Sequence, residues 1–341
     1  MKAAVRAIEY YLPDRVLSND ELSAEYGDWS GDKIQEKTGI SERHIAADGQ
    51  CASDLAVCAA QKLFSTGSCR PEDIDYLLLC TQSPDYFLPT TACVLQDRLG
   101  LPTSAGALDF NLGCSGFVYG LGLAKGLVET EQAQKVLLIT AETYSKFIEP
   151  GDRSVRTIFG DAAAATLIDA VPTDGDSPLI GPFVNGTDGR GAPNLIVAGG
   201  ALRQPRDPGC TAAPFPSGAL RMNGPEIFNF TLRVVPQTVK EILSKSCLGA
   251  ADIDLFIFHQ ANQFMLGHLQ RKLKIPDAKF WVGMKHCGNT VSSTIPIALK
   301  QAACEGRLSP GDRALLVGFG VGYSWGATVI RWMLPTANLQ S

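Results

Sequence analysis

The chain repeats itself. "DIDYLLLCTQ", beginning at Asp73, returns as "DIDLFIFHQ" from Asp252; "LQDRLGLP" at Leu95 returns as "LQRKLKIP" at Leu269; "KVLLITAETYS" at Lys135 returns as "RALLVGFGVGYS" at Arg313. Three echoes in one order at a nearly constant offset describe two similar halves, and so long a period means a duplicated domain rather than a solenoid. The break is expected in the Pro/Gly/Asp-rich stretch "VPTDGDSPLIGP" after Ala170, giving halves of residues 1–171 and 172–341.

Runs of aliphatic and β-branched residues (73–82, 135–142, 252–260, 313–320) alternate with stretches of helical length (53–65, 91–99, 115–128, 226–246, 293–305). This alternation predicts an α/β protein whose sheets are buried on both faces. With 341 residues and 45% hydrophobic content, the chain can bury one large core or two half-sized ones. A net charge of -5 argues against general nucleic-acid binding, which depends on neutralising many phosphates. The ten cysteines are scattered, without a CxxC pair, which fits reduced thiols in a cytosolic protein. Arg6 and Glu9 interrupt the stretch a signal peptide would need, and no apolar run is long enough to span a bilayer. A soluble, cytoplasmic protein without a membrane partner is expected.

The duplication also aligns chemistry. "LGCSGF" follows "LQDRLGLP", and "HCGNTVSS" follows "LQRKLKIP", so Cys114 and Asn289 hold related places and would face each other across a pseudo-twofold axis. His259 ends its strand in "FHQAN", at the sheet end where α/β proteins usually place their sites. Cys114 stands just before the helical stretch "SGFVYGLGLAKGLVE", where unpaired amides and the helix dipole would favour a thiolate. Each residue also has a plainer explanation: Cys114 as a small packing residue, His259 as a strand-end imidazole bonded to a carbonyl, Asn289 as a left-handed turn residue. Together they can do more. A cysteine can hold an acyl group while a histidine and a carboxamide stabilise an enolate, an arrangement suited to carbon–carbon bond formation.

Other features carry less. His44, His268 and His286 lack metal-ligand spacing, and no metal is expected. "GFGVGYSWG" (318–326) has neither a phosphate-loop lysine nor the third glycine of a dinucleotide fingerprint, because Tyr323 stands there. It reads as a bend that brings backbone amides toward the same pocket, while "IFGDAAAATLI" (158–168) reads as a tightly packed strand of small residues.

These motifs resemble those of the β-ketoacyl-acyl carrier protein synthase III family of the thiolase superfamily. The likeness runs through "TGISERHIA" (38–46), "PTTACVLQDRLG" (89–100), "GCSGFVYGL" (113–121), "IFGDAAAA" (158–165), "FHQAN" (258–262), "HCGNTVSSTIP" (286–296) and "GFGVGYSWGA" (318–327). It implies a thiolase-like five-layered αβαβα fold, a homodimer, and a catalytic triad of Cys114, His259 and Asn289. Cys114 would take an acyl group from acyl-CoA, and a malonyl thioester on acyl carrier protein or CoA would then lose carbon dioxide and attack it. The oxyanion hole would be the backbone amides of Cys114 and Val321. No cofactor is implied, since CoA and phosphopantetheine thioesters are substrates.

For substrate binding the resemblance implies Trp29, Lys37, Arg153, Asn262 and Phe264, with Phe87 and Leu88 in the acyl pocket, Leu88 reaching it across the dimer interface. The chain departs from the family at several of these places. Gln263 and Phe264 replace a Leu-Arg pair, Lys33 and Ile34 stand where the adenine-stacking tryptophan lies, and Trp29 is displaced from it. Arg271, Lys272 and Lys274 are candidates for docking an acidic carrier protein. Two other readings fit the same residues: an acyltransferase acting on an amine or hydroxyl without decarboxylation, and a silent subunit that only binds acyl thioesters.

Overall fold

The computed structural model describes residues 1–173, 175, 177–205 and 218–334. The first half comprises β1 (Lys2–Tyr11), the paired β2 (Arg15–Ser18) and β3 (Glu42–Ile45), and then β4 (Tyr76–Cys80), β5 (Gly106–Phe110), β6 (Lys135–Glu142) and β7 (Ala162–Val171). Its helices are α1 (Asn19–Tyr26), α2 (Gly31–Thr38), α3 (Ala52–Ser65), α4 (Thr91–Arg98), α5 (Gly116–Glu129) and α6 (Arg153–Arg156). The second half adds β8 (Ile180–Thr187), β9 (Leu195–Val197), β10 (Leu220–Met222), β11 (Leu255–Phe258), β12 (Arg313–Gly320) and β13 (Ser324–Arg331), with α7 (Gly224–Lys245), α8 (Gln263–Leu273) and α9 (Thr294–Cys304).

The duplication is visible in the strand order. One sheet runs β1-β7-β6-β4-β5 and the other β8-β13-β12-β11. In each, a parallel pair (β4 with β6, β11 with β12) is followed by two antiparallel neighbours. The first sheet keeps a further parallel edge strand, β5, while the corresponding place beside β11 carries only the isolated bridge Phe256–Phe280.

Alternation along the strands builds the layers. Leu77, Leu79, Leu137 and Ile139 point to an outer cluster with α3 and α4, while Leu78, Val136 and Leu138 point inward onto α5. In the second sheet Ala314 and Leu316 face the same middle layer, and Leu315, Val317 and Phe319 face α7 and α8. The result is the α/β, five-layered αβαβα thiolase-like arrangement that the resemblance implied. Because α5 lies between two sheets, it has to be narrow: a Cβ at Gly120 would stand 2.6 Å from Leu138 Cδ1. α9 fills the matching middle position of the second half, so the residues before α5 and before α9 come to the same buried level. Among the described residues no helix is long and apolar enough to cross a membrane.

Candidate active site

Three turns converge at the centre of the molecule. The first leads from β5 through Asn111–Gly113 to Cys114, whose neighbour Ser115 is the N-cap of α5. Ser115 Oγ lies 2.6 Å from Ser324 Oγ, which ties this turn to the start of β13. The bend between β12 and β13 closes over it. A Cβ at Gly113 would stand 2.8 Å from Val321 Cγ1, and one at Gly320 would stand 2.8 Å from Cys114 Sγ. Cys114 is 5% exposed.

The second turn is the exit of β11. The His259 amide continues the ladder by donating to Val317 O at 2.8 Å, so the imidazole leaves the sheet end toward the interior. Its Nδ1 lies 2.7 Å from Thr294 Oγ1, and that hydroxyl donates to Val291 O at 3.1 Å. The third turn precedes α9. Gly288 takes the left-handed conformation (φ +71°), and a Cβ there would lie 2.9 Å from Ile158 O. The left-handed turn considered for Asn289 therefore belongs to its neighbour. Asn289 donates its amide to Ile158 O at 2.9 Å, and its carbonyl accepts from the Gly160 amide at 3.0 Å. Asn289 Oδ1 accepts from the Val291 amide at 3.0 Å, which aims the Nδ2 group at His259 Nε2, 3.5 Å away. To close this loop Val291, a β-branched residue, adopts φ +56°, a costly conformation at a functional turn.

Cys114, His259 and Asn289 line one chamber, with Asn262 among its lining. The walls are apolar, including Leu195, Met222, Ile227 and Met265, and the space within and at the mouth is about 530 Å³. Burial governs the electrostatics. It pushes the Cys114 thiol up to about 12, helped by the nearby Glu142 and opposed by the amides of Cys114 and Val321. It pulls His259 down to about 3, so the imidazole is neutral. The thiolate expected from the helix N-terminus is thus corrected: desolvation of the sulfur outweighs the amides in the free protein.

The remaining expected site residues divide. Asn262 caps α8 by accepting from the Met265 amide at 2.8 Å. Phe264 is 58% exposed and packs on Phe228 and His268 (ring centroids 5.5 and 4.3 Å apart), outside the chamber. Trp29 lies under the Lys37 ammonium, 4.6 Å from the ring centroid, and likewise stands apart from the chamber lining. Arg153 is paired with Asp28 and stacks on Tyr26, so its charge is partly neutralised on its own chain. Phe87 and Leu88 are 78% and 86% exposed and do not line the chamber of their own chain. No cluster capable of holding a metal occurs among the described residues, and no disulfide joins the described cysteines to one another, while Cys210 lies outside them.

Sequence reasoning missed two groups beside the triad. Glu142, at the end of β6, is buried and accepts from Ser292 Oγ (2.8 Å), the Gln82 amide (3.0 Å) and Ser83 Oγ (3.3 Å). Its signal was a lone acid closing the mostly apolar strand "KVLLITAE". Thr294 was hidden in the hydroxyl run "SST" that opens α9.

A duplicated five-layered fold, with a cysteine at the head of one central helix and a histidine–asparagine pair facing it, defines a thiolase-fold transferase of the condensing class. Residues 108–189 match the family described as 3-oxoacyl-[acyl-carrier-protein (ACP)] synthase III, and residues 243–332 match its C-terminal part. The β-ketoacyl-[acyl-carrier-protein] synthase III of Clostridium perfringens is 37% identical over 321 residues, covering 94% of this chain and 96% of that protein. The one from Clostridioides difficile is 37% identical over 333 residues (98% and 99%). A solved 3-oxoacyl-(acyl-carrier-protein) synthase III superposes with a TM-score of 0.94 at 51% identity, over 97% of this chain and 100% of its own. The priming β-ketosynthase of the R1128 polyketide pathway superposes with a TM-score of 0.87 at 27% identity, over 98% and 97%. The chain belongs to the 3-oxoacyl-[acyl-carrier-protein] synthase III family.

Proposed function

We propose that this condensing enzyme is an acyltransferase that loads Cys114 from acyl-CoA and then joins the acyl group to a malonyl thioester with loss of carbon dioxide. In the first half-reaction a bond forms between Cys114 Sγ and the acyl carbon, the CoA thioester bond breaks, and the thiol proton travels through His259 Nε2 to the leaving CoA sulfur. The amides of Cys114 and Val321 receive the oxyanion. In the second, the electron pair freed with carbon dioxide becomes an enolate held by Asn289 Nδ2 and by His259 once Nε2 is protonated. The enolate carbon attacks the acyl carbon and Cys114 leaves. No cofactor takes part in this scheme.

The observation that carries the reading is the shared chamber: thiol, imidazole and carboxamide come from three separate turns and line one apolar space. Acyl carrier protein is the proposed bearer of the extender, and Arg271 and Lys272 of α8, with Lys274 at its C-cap, support docking of an acidic partner. A second copy of the chain is proposed to cover β5, an open sheet edge whose Leu108 is 43% exposed, and to receive Phe87 and Leu88. The test is to incubate the protein with a panel of acyl-CoAs and weigh the intact chain. One acyl mass retained by the native protein and none by Cys114→Ala supports the reading; acylation that persists in the variant contradicts it.

A further inference from the structure

His259 has to serve both half-reactions of the proposed mechanism, so the inference drawn here rests on that reading. Two hydrogen bonds determine how the ring can serve. Val291 O can only accept, so the single proton of the Thr294 hydroxyl goes to it, at 3.1 Å. A lone pair of the same oxygen is then left facing Nδ1, at 2.7 Å, a place that suits a protonated Nδ1. Nε2 lies 3.5 Å from Asn289 Nδ2, and His259 lines the chamber. Thr294 is 3% exposed, so water does not compete for its hydroxyl.

We infer that Thr294 is the positioning residue that keeps Nδ1 protonated through the whole cycle, so that Nε2 alone carries the proton traffic. The atoms balance on this assignment. During acylation Nε2 takes the Cys114 proton and returns it to the CoA sulfur, ending bare. Condensation consumes one proton overall, because a carboxylate leaves as carbon dioxide while the enzyme sulfur leaves as a thiol. That proton, drawn from solvent through the chamber mouth, enters at Nε2 as the anionic malonyl group arrives. It is shared with the enolate oxygen and ends on Cys114 Sγ. At each stage the Thr294 oxygen accepts from Nδ1, whether the ring is neutral or cationic.

The test uses Thr294→Val, which keeps the shape and removes the hydroxyl, beside Thr294→Ser, which keeps the hydroxyl. The ring nitrogens of His259, one of four histidines in the chain, are observed by ¹⁵N NMR in the resting protein. Native protein and Thr294→Ser should show a protonated Nδ1 and a bare Nε2, and Thr294→Val should shift toward the opposite tautomer. Acylation of Cys114 should slow by about 10- to 100-fold in Thr294→Val, as when a partner orienting a functional imidazole is lost, with the KM for acyl-CoA little changed and Thr294→Ser near native. A native Nε2–H tautomer, or a ring unaltered by Thr294→Val, overturns the inference even where the enzyme condenses normally. The expected nitrogen shifts in a protein that never acylates would leave this assignment standing and refute the reading of function instead.

Discussion

Gly320→Ala puts one methyl group against the nucleophile. The added Cβ would lie 2.8 Å from Cys114 Sγ and 2.9 Å from Cys114 Cβ, whereas such contacts are comfortable at about 3.5–4.0 Å. Neither side can easily retreat. A Cβ at nearby Gly318 would already be 2.6 Å from Ser115 Cα, and Ser115 is held to Ser324 by the 2.6 Å hydroxyl contact. Overpacking of this kind costs about 1–3 kcal/mol, and a sulfur pushed aside by ~1 Å loses about 100-fold in a reaction that depends on its placement. The assay is single-turnover acylation followed by intact mass, with Gly267→Ala as the control. There the added Cβ meets only the flexible Arg271 guanidinium, at 3.4 Å. The expected result is acylation slowed by about two orders of magnitude in Gly320→Ala, with a modest loss of stability, and unchanged acylation in the control. Native-speed acylation by Gly320→Ala would show that the bend does not hold the sulfur as described.

Three other outcomes follow from the same geometry. Asn289→Ala should still acylate but lose about 100- to 1,000-fold in condensation, the effect of removing one oxyanion donor, as measured by product formation; undiminished condensation would remove Asn289 from the enolate. Iodoacetamide should alkylate Cys114 slowly near neutrality, with a rate rising about tenfold per pH unit beyond pH 9, since burial holds the thiol at about 12; a plateau below pH 8 would reveal a preformed thiolate. Burial raises Glu142 to about 8, so the native state keeps a proton that the unfolded chain has lost. Its contribution to stability is full below about pH 4.5 and lost as pH rises through about 8, so Glu142→Gln should flatten the fall in Tm across that window. Parallel melting curves for native protein and variant would count against this.

Much of the architecture was legible because duplication writes the same pattern twice. The expected strands at 135–142 and 313–320 coincide with β6 and β12, and the helical stretch at 115–128 falls within a residue of α5. The meeting of Cys114 and Asn289 could be read from the same source, since each precedes the central helix of its half. What the sequence could not display was the consequence of burial. A thiol at a helix start reads as activated until five layers of structure exclude water from it, and then the neutral form wins. Partnerships made by distant residues were hidden for a similar reason. The Arg153–Asp28 pair joins residues far apart in the chain, and Thr294 looked like one hydroxyl among several until the exit of β11 placed His259 beside it.

The most direct measurement is a chase. The protein is acylated from acyl-CoA, freed of excess donor and mixed with a malonyl thioester carrying a labelled free carboxyl group. Cys114 should be unloaded in step with release of one labelled carbon dioxide and one β-ketoacyl thioester per acyl group. Unloading onto an amine, a hydroxyl or water without labelled carbon dioxide, or an acyl group that remains on the enzyme, would contradict the account.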